Sequence, residues 1–230
     1  MHMKTFIKYL LALPAIAAAP AVVQAAEPAD TLTARYVFEN LEIPAIDLLS
    51  RSTRLDMAAY HDVGRRYDAR NELGGISTLD SLTNNYASVT LTPVSSLQLM
   101  TLPYAKSGIA LLSYTVDAGG PDSRLMAVDA QLRLLPSGKF FKAPVLRDFI
   151  VLPRNSSVSV RDLEDLCDFF SASYTLDAAT GSVTVTPALS AVMSEENYDR
   201  LRPYITTSDG SLRTRRYVWT GKTLKLQPLE

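Results

Sequence analysis

Beyond residue 25 the chain holds one histidine, His61, and one cysteine, Cys167. These two residues bound its chemistry. A Ser-His-Asp or Cys-His catalytic group would have to use His61, and no nucleophile stands out beside it in sequence. A Cys/His zinc site would have too few ligands. An intramolecular disulfide is impossible with one cysteine. No glycine-rich phosphate loop appears, and the acids follow no calcium-loop spacing. Paired carboxylates need no histidine, so a carboxylate-based hydrolase stays open. The acids that cluster are Asp162, Glu164, Asp165 and Asp168. Read as a helix, they mostly fall on its polar face, where solvation explains them. No catalytic, cofactor-binding or metal-ligating residue is singled out, and no cofactor is implied.

These residues need elements to position them. Residues 36–41 read as a short extended lead-in. Pro44 suits the first position of a helix through Ala45, Ile46, Leu48 and Leu49. Ser50-Arg51-Ser52 should break it. A second helix should start at Thr53, with Asp56 completing an acidic capping box and Leu55, Ala58 and Ala59 as its apolar stripe. His61 then sits at that helix's end, as an exposed or capping residue favoured by the dipole. Gly64 stops the helix. Arg65, Arg66 and Arg70 follow and read as a solvated strand edge.

Strands come next, over residues 76–82, 86–92, 97–102, 109–117 and 124–134. Short turns at Gly74-Gly75, Asn84-Asn85, residues 118–122 and residues 136–139 separate them. Connections this short favour antiparallel pairing. Residues 152–157 are a loop by composition. Ser159 and Asp162 form another acidic capping box. Val160, Leu163, Leu166, Cys167 and Phe170 share one face of the predicted helix, so Cys167 is expected to be a buried, inert thiol. A hairpin over residues 174–186 follows. Ser194 caps a helix rich in early acids that should end before Pro203, and residues 212–227 make the last hairpin.

One stretch occurs twice. Ser88-Val89-Thr90-Leu91-Thr92-Pro93 reappears as Ser182-Val183-Thr184-Val185-Thr186-Pro187. Both copies alternate apolar and small polar residues, the period of a half-buried strand, and both follow a turn. If they are equivalent, Val89, Leu91, Val183 and Val185 point into apolar cores, while Thr90 and Thr184 face away. Each half then reads as helix first and antiparallel meander after. The expected fold class is α+β, in two tandem helix-plus-sheet modules spanning residues 26–151 and 152–230.

Residues 1–25 read as a secretory signal peptide. Lys4 and Lys8 precede an apolar run over residues 10–23, and Val23-Gln24-Ala25 offers the small residues for cleavage after Ala25. The apolar run is too short and proline-rich to span a bilayer well, and no cysteine stands at the cleavage region to carry a lipid. The product would be periplasmic or secreted, without a membrane span. The formal net charge is −1, and losing Lys4 and Lys8 lowers it by two more. Such a chain has no overall field to attract nucleic acid. Asp30-Thr31-Leu32 and Asp80-Ser81-Leu82 match a loose acceptor pattern for O-glycosylation in exported proteins, which makes Thr31 and Ser81 candidates.

The runs Arg54-Leu55-Asp56-Met57, Leu73-Gly74-Gly75, Tyr86 through Leu91-Thr92-Pro93 to Ser95-Ser96-Leu97, and Tyr217-Val218-Trp219-Thr220-Gly221-Lys222 resemble a secreted Bacteroidales domain-of-unknown-function family, number 3256. The resemblance implies export in a Gram-negative bacterium and transfers no functional residue. The helix-plus-meander plan also resembles secreted β-lactamase-inhibitor and PepSY-like modules, a likeness of arrangement alone. Three functional classes follow. The first is a non-catalytic envelope protein binding a protein, peptide or glycan through an exposed sheet face, which the lack of a catalytic constellation favours. The second is an inhibitor or regulator of an exported enzyme, and the third the carboxylate-based hydrolase.

Overall fold

Alternating apolar and small polar runs become two antiparallel sheets in the computed structural model, which describes residues 32–228. The first sheet holds β1 (Asp68–Arg70), β2 (Ile76–Leu82), β3 (Tyr86–Thr92), β4 (Ser95–Leu102), β5 (Ile109–Asp117), β6 (Pro121–Asp129) and β7 (Leu134–Leu135), in sequence order. The second holds β8 (Ala172–Asp177), β9 (Ser182–Pro187), β10 (Arg215–Trp219) and β11 (Leu224–Leu226), in the spatial order β11-β10-β9-β8. Four short α-helices complete an α+β fold: α1 (Ala34–Asn40), α2 (Arg51–Asp62), α3 (Val160–Glu164) and α4 (Glu195–Ile205).

The two faces of the first sheet do different work. Val89, Leu91, Leu97, Leu99, Ala110, Leu112 and Val128 point to one side, where they are buried with residues of α1 and α2 such as Val37, Phe38 and Met57. Met100, Leu102, Ile109, Leu111, Leu125 and Ala127 point to the other and join the core of the second sheet. Each fully buried Leu, Val or Ile adds about 1.5–3 kcal/mol. Strand β8 is an edge of its own sheet, yet its free side does not meet water. The Tyr174 carbonyl accepts from Ser113 Oγ at 2.9 Å, the Tyr174 N–H donates to Ser123 Oγ at 3.0 Å, and the Leu176 N–H donates to Gln98 Oε1 at 2.9 Å. Polar side chains of β4, β5 and β6 thus satisfy a strand edge that would otherwise lie unpaired.

The repeated strand has the expected direction in both copies. β3 lies between β2 and β4, and β9 between β8 and β10. Val89, Leu91, Val183 and Val185 are buried, whereas Thr90 is exposed and Thr184 half-buried. Gly181 in the turn before β9 has φ +59°, and an added Cβ would lie 3.3 Å from Leu102 Cδ2, so both backbone and space favour glycine there.

Several helix boundaries differ from expectation. Residues 36–41 are not extended: α1 covers most of them, because the Thr33 side chain accepts from the Tyr36 N–H and Ala34, Val37 and Phe38 share one buried face. That burial outweighs the strand preference of Tyr36, Val37 and Phe38. Residues 44–49 form turns rather than a helix, with Ile46 N donating to Ile43 O and Leu49 N to Ile46 O, both at 2.9 Å. Ile43, Ile46 and Leu49 are all buried, a spacing of three that suits such turns. Ser50-Arg51-Ser52 starts α2 instead of breaking a helix, since the Ser50 hydroxyl accepts the Thr53 N–H. The buried stripe of α2 is Arg54, Met57 and Ala58, and Leu55 is 37% exposed.

Further along, β6 ends at Asp129 rather than running to residue 134. Asp129 Oδ1 accepts the N–H groups of Gln131 and Arg133, both at 3.0 Å, and folds the chain back as β7. The Ser159–Asp162 capping box forms as expected, but α3 stops at Glu164. Helix α4 continues past Pro203, which falls in its final turn, because Leu201 and Ile205 anchor that turn in the core.

Candidate functional site

The side chains that could do chemistry are scattered. His61 lies half-buried in the last turn of α2, and no hydrogen bond engages its ring among the described residues. Arg66 pairs with Asp68 at 2.7 Å and holds that carboxyl below the usual range through its hydrogen bond. Arg70 is exposed on β1, the sheet edge expected for it. Glu164 receives both ends of the Arg147 guanidinium at 2.9 Å. Asp162 is occupied by the N–H and hydroxyl of Ser159. Two of the four acids of the 162–168 cluster are thus engaged locally, and no group of three potential metal ligands exists among the described residues.

Cys167 departs from its expected setting. It lies past the end of α3 rather than in a helix stripe, and is half-buried. Its Sγ–H donates to the Phe169 carbonyl at 3.1 Å. Burial pushes the thiol pKa up, which disfavours the reactive thiolate. Thr31 lies outside the described residues. Ser81 belongs to β2, where the neighbouring Asp80 accepts a hydrogen bond from Thr90 Oγ1 at 2.9 Å.

The exposed part of the first sheet's outer face lies over β1 to β3. It carries Asp68, Arg70, Ile76, Asp80 and Thr90. No aromatic side chain projects fully into solvent from that patch. Among the described residues, the large exposed aromatics are Tyr36 on α1, Tyr60 on α2, and Phe169.

The feature that sequence reading missed lies at β10. A cavity of about 600 Å³ is lined by Thr180, Thr207, Arg213, Thr214, Arg215, Arg216, Val218, Gln227 and Pro228. Three arginines are among its lining residues, and none of the described residues that line it is an acid, a histidine or a cysteine. The Nε atoms of Arg213 and Arg215 are buried without a hydrogen-bond partner. Arg216 donates Nε to Ser182 Oγ at 3.2 Å. None of the three forms an ion pair among the described residues. A buried donor without an acceptor is rare in folded proteins, and the Arg54 Nε is another here.

The carboxylates near these arginines are held by their own loops: Asp177, on which the Arg216 charge also acts, accepts the Thr180 hydroxyl at 2.5 Å. The adjoining loop spends its own carboxylate on itself. Asp209 accepts from the Ser211 N–H at 3.0 Å, the Ser211 hydroxyl at 2.7 Å and the Thr207 hydroxyl. These bonds hold the Asp209 pKa at about 2. Arg213 is fixed by its N–H, which donates to the Ile205 carbonyl at 2.8 Å, and the Arg216 carbonyl accepts from Gln227 N at 2.8 Å. The result is an arginine-rich lining, the residue type suited to an oxyanion. The run Arg213-Thr214-Arg215-Arg216 was visible in the sequence, but its cavity walls come from three distant loops.

A solved domain of an uncharacterized protein from Porphyromonas gingivalis W83 shares this fold, with a TM-score of 0.68 at 17% identity. The alignment covers 84% of this chain and 98% of that one. Among curated proteins, none matches the chain. Residues 29–222 match the family described as "Protein of unknown function (DUF3256)", and the chain belongs to that family.

Proposed function

We propose that this is an exported, non-catalytic binding protein of the bacterial envelope, which takes an anionic group of a protein, peptide or glycan at the Arg213–Arg215–Arg216 cavity. The observation that carries this reading is the cavity lining itself: three arginines, three threonine hydroxyls, one glutamine amide and, among the described residues, no acid, histidine or cysteine. Guanidinium groups recognise carboxylate, phosphate and sulfate through paired N–H donors. The hydrolase reading has no comparable support, because none of the cavities described has two facing carboxylates. Export rests on the leader, with cleavage after Ala25 and a periplasmic or secreted product. The tandem reading, residues 26–151 followed by 152–230, draws support from the matching burial of Val89 and Leu91 with Val183 and Val185.

The test is to incubate the mature chain with oligogalacturonate, a phosphorylated peptide and a sulfated oligosaccharide. Retention of at least one on the protein, with the ligand recovered chemically unchanged, supports the reading. Hydrolysed product released in a protein-dependent way would make the protein an enzyme instead.

A further inference from the structure

The outer edge of β6 has a gap in its pairing. β7 covers only Ala127 and Val128, so residues 121–126 of β6 have β5 on one side and no strand on the other. Two contacts fix which peptide groups point outward. The Asp129 N–H donates to the Arg133 carbonyl beyond that edge at 3.1 Å, and the Pro121 carbonyl accepts from Ser171 Oγ at 2.9 Å. Strand alternation then turns the N–H and C=O of Ser123 and Leu125 outward as well. No hydrogen bond within the described chain engages those four groups. Ser123 and Leu125 are nevertheless buried residues, at 9% and 6% exposure. Poorly hydrated peptide groups without partners are costly, so this edge is primed for a partner.

Cavities flank the edge on both faces. Toward the helices, about 760 Å³ is bordered by Ile43, Pro44, Tyr114, Met126 and Leu134, with Arg124 at its rim. Toward the second sheet, about 500 Å³ is bordered by Leu125, Phe141, Tyr174, Lys142 and Ser137. The lengthening of β7 that would fill the gap is prevented by Pro136, after which the chain enters a 3-10 turn at Ser137–Lys139. Arg124 and Lys142 are both exposed and form no ion pair among the described residues. Asp122, two positions along, borders neither cavity.

We propose that this edge docks an extended, acidic segment of a partner protein, which adds as a short strand beside β6. Unpaired main-chain groups supply the pairing, and cavities on alternate faces receive alternate side chains, the requirements of strand addition. An apolar side chain enters the helix-side cavity. Acidic side chains, on the opposite face, meet Lys142. Three residues suffice to pair with both Ser123 and Leu125. This site is separate from the arginine cavity, and neither depends on the other.

The experiment titrates the mature protein with acetyl-Val-Glu-Val-Glu-Val-amide and follows amide hydrogen exchange. The expected result is saturable binding, with exchange at Ser123 and Leu125 slowed about tenfold or more at saturation. N-methylating the central residues of the peptide should weaken binding about tenfold, as loss of main-chain pairing requires. Lys142→Glu, at an exposed position beside the second-sheet cavity, should weaken it as well and leave the thermal midpoint unchanged. Absence of saturable binding, protection confined to another strand edge, or an N-methylated peptide that binds equally well would each overturn the proposal.

Discussion

Gln98 on β4 and Leu176 on β8 are joined across the two sheets: the Gln98 side-chain oxygen accepts the Leu176 N–H at 2.9 Å. With Ser113 and Ser123 serving Tyr174, the bond makes the face of one sheet the pairing partner of the other sheet's edge. Gln98→Ala would leave the Leu176 N–H unsatisfied and should destabilise the fold by about 1–3 kcal/mol. Urea unfolding measures this. Removing Ser113 as well should give a cost that departs from the sum, because the two bonds share one strand.

Arg54 is 3% exposed, and no carboxylate pairs with it. Its guanidinium instead donates to the carbonyls of Leu41 at 2.8 Å and of Leu49, tying the end of α1 to the start of α2. Burial lowers its pKa from the ordinary arginine value. Arg54→Leu keeps the apolar stem but frees both carbonyls, and should cost about 1.5–3 kcal/mol. Arg54→Lys should recover little, since a single ammonium cannot span both acceptors. Thermal denaturation of both variants checks the ranking.

The repeated strand makes a directional claim. Leu91→Ala should cost about 2–5 kcal/mol by opening a cavity between β3 and the helices. Thr90→Ala, on the exposed face, should cost less than about 1 kcal/mol. Equal costs for the two would reverse the assigned faces.

Base should unfold the protein through its buried tyrosines. Burial, aided by the charge of Asp148, pushes the Tyr217 hydroxyl up to about 12 from an ordinary value of 10.0. Burial raises Tyr174 in the same direction. Between these limits the unfolded chain gives up a proton that the folded chain keeps. Stability is therefore unaffected below pH 10 and falls as pH rises from about 10 to 12. Phenolate absorbance should lag in the folded state and rise together with loss of ellipticity. Tyr217→Phe should reduce that pH dependence.

The strands could be read from sequence because alternation is local, and β2, β3 and β5 have the limits it predicts. Helix limits were harder. Tyr36, Val37 and Phe38 carry strand propensity, and only contact with the sheet makes a helix there the better arrangement. Leu55 was the natural candidate for the buried stripe of α2, yet Arg54 is the residue inside, because the carbonyls it serves come from segments 5 and 13 residues away. Pro203 marks a helix end by its own chemistry, and the buried Ile205 carries the helix past it. The arginine cavity was the least legible feature. Thr180, Thr207 and Gln227 meet Arg213 only after both hairpins and the loop following α4 have folded.

The most direct measurement of the central claim is isothermal titration of the mature chain with oligogalacturonate and with inorganic sulfate, beside Arg213→Ala and Arg216→Ala variants of unchanged thermal stability. Saturable binding to the wild type is expected with at least one of these anions. Each variant should weaken it about tenfold or more, the loss of one charge-assisted contact, and added salt should weaken it further. Equal affinity in wild type and variants, or no saturable heat with either anion, would contradict the assignment of the arginine cavity as the binding site.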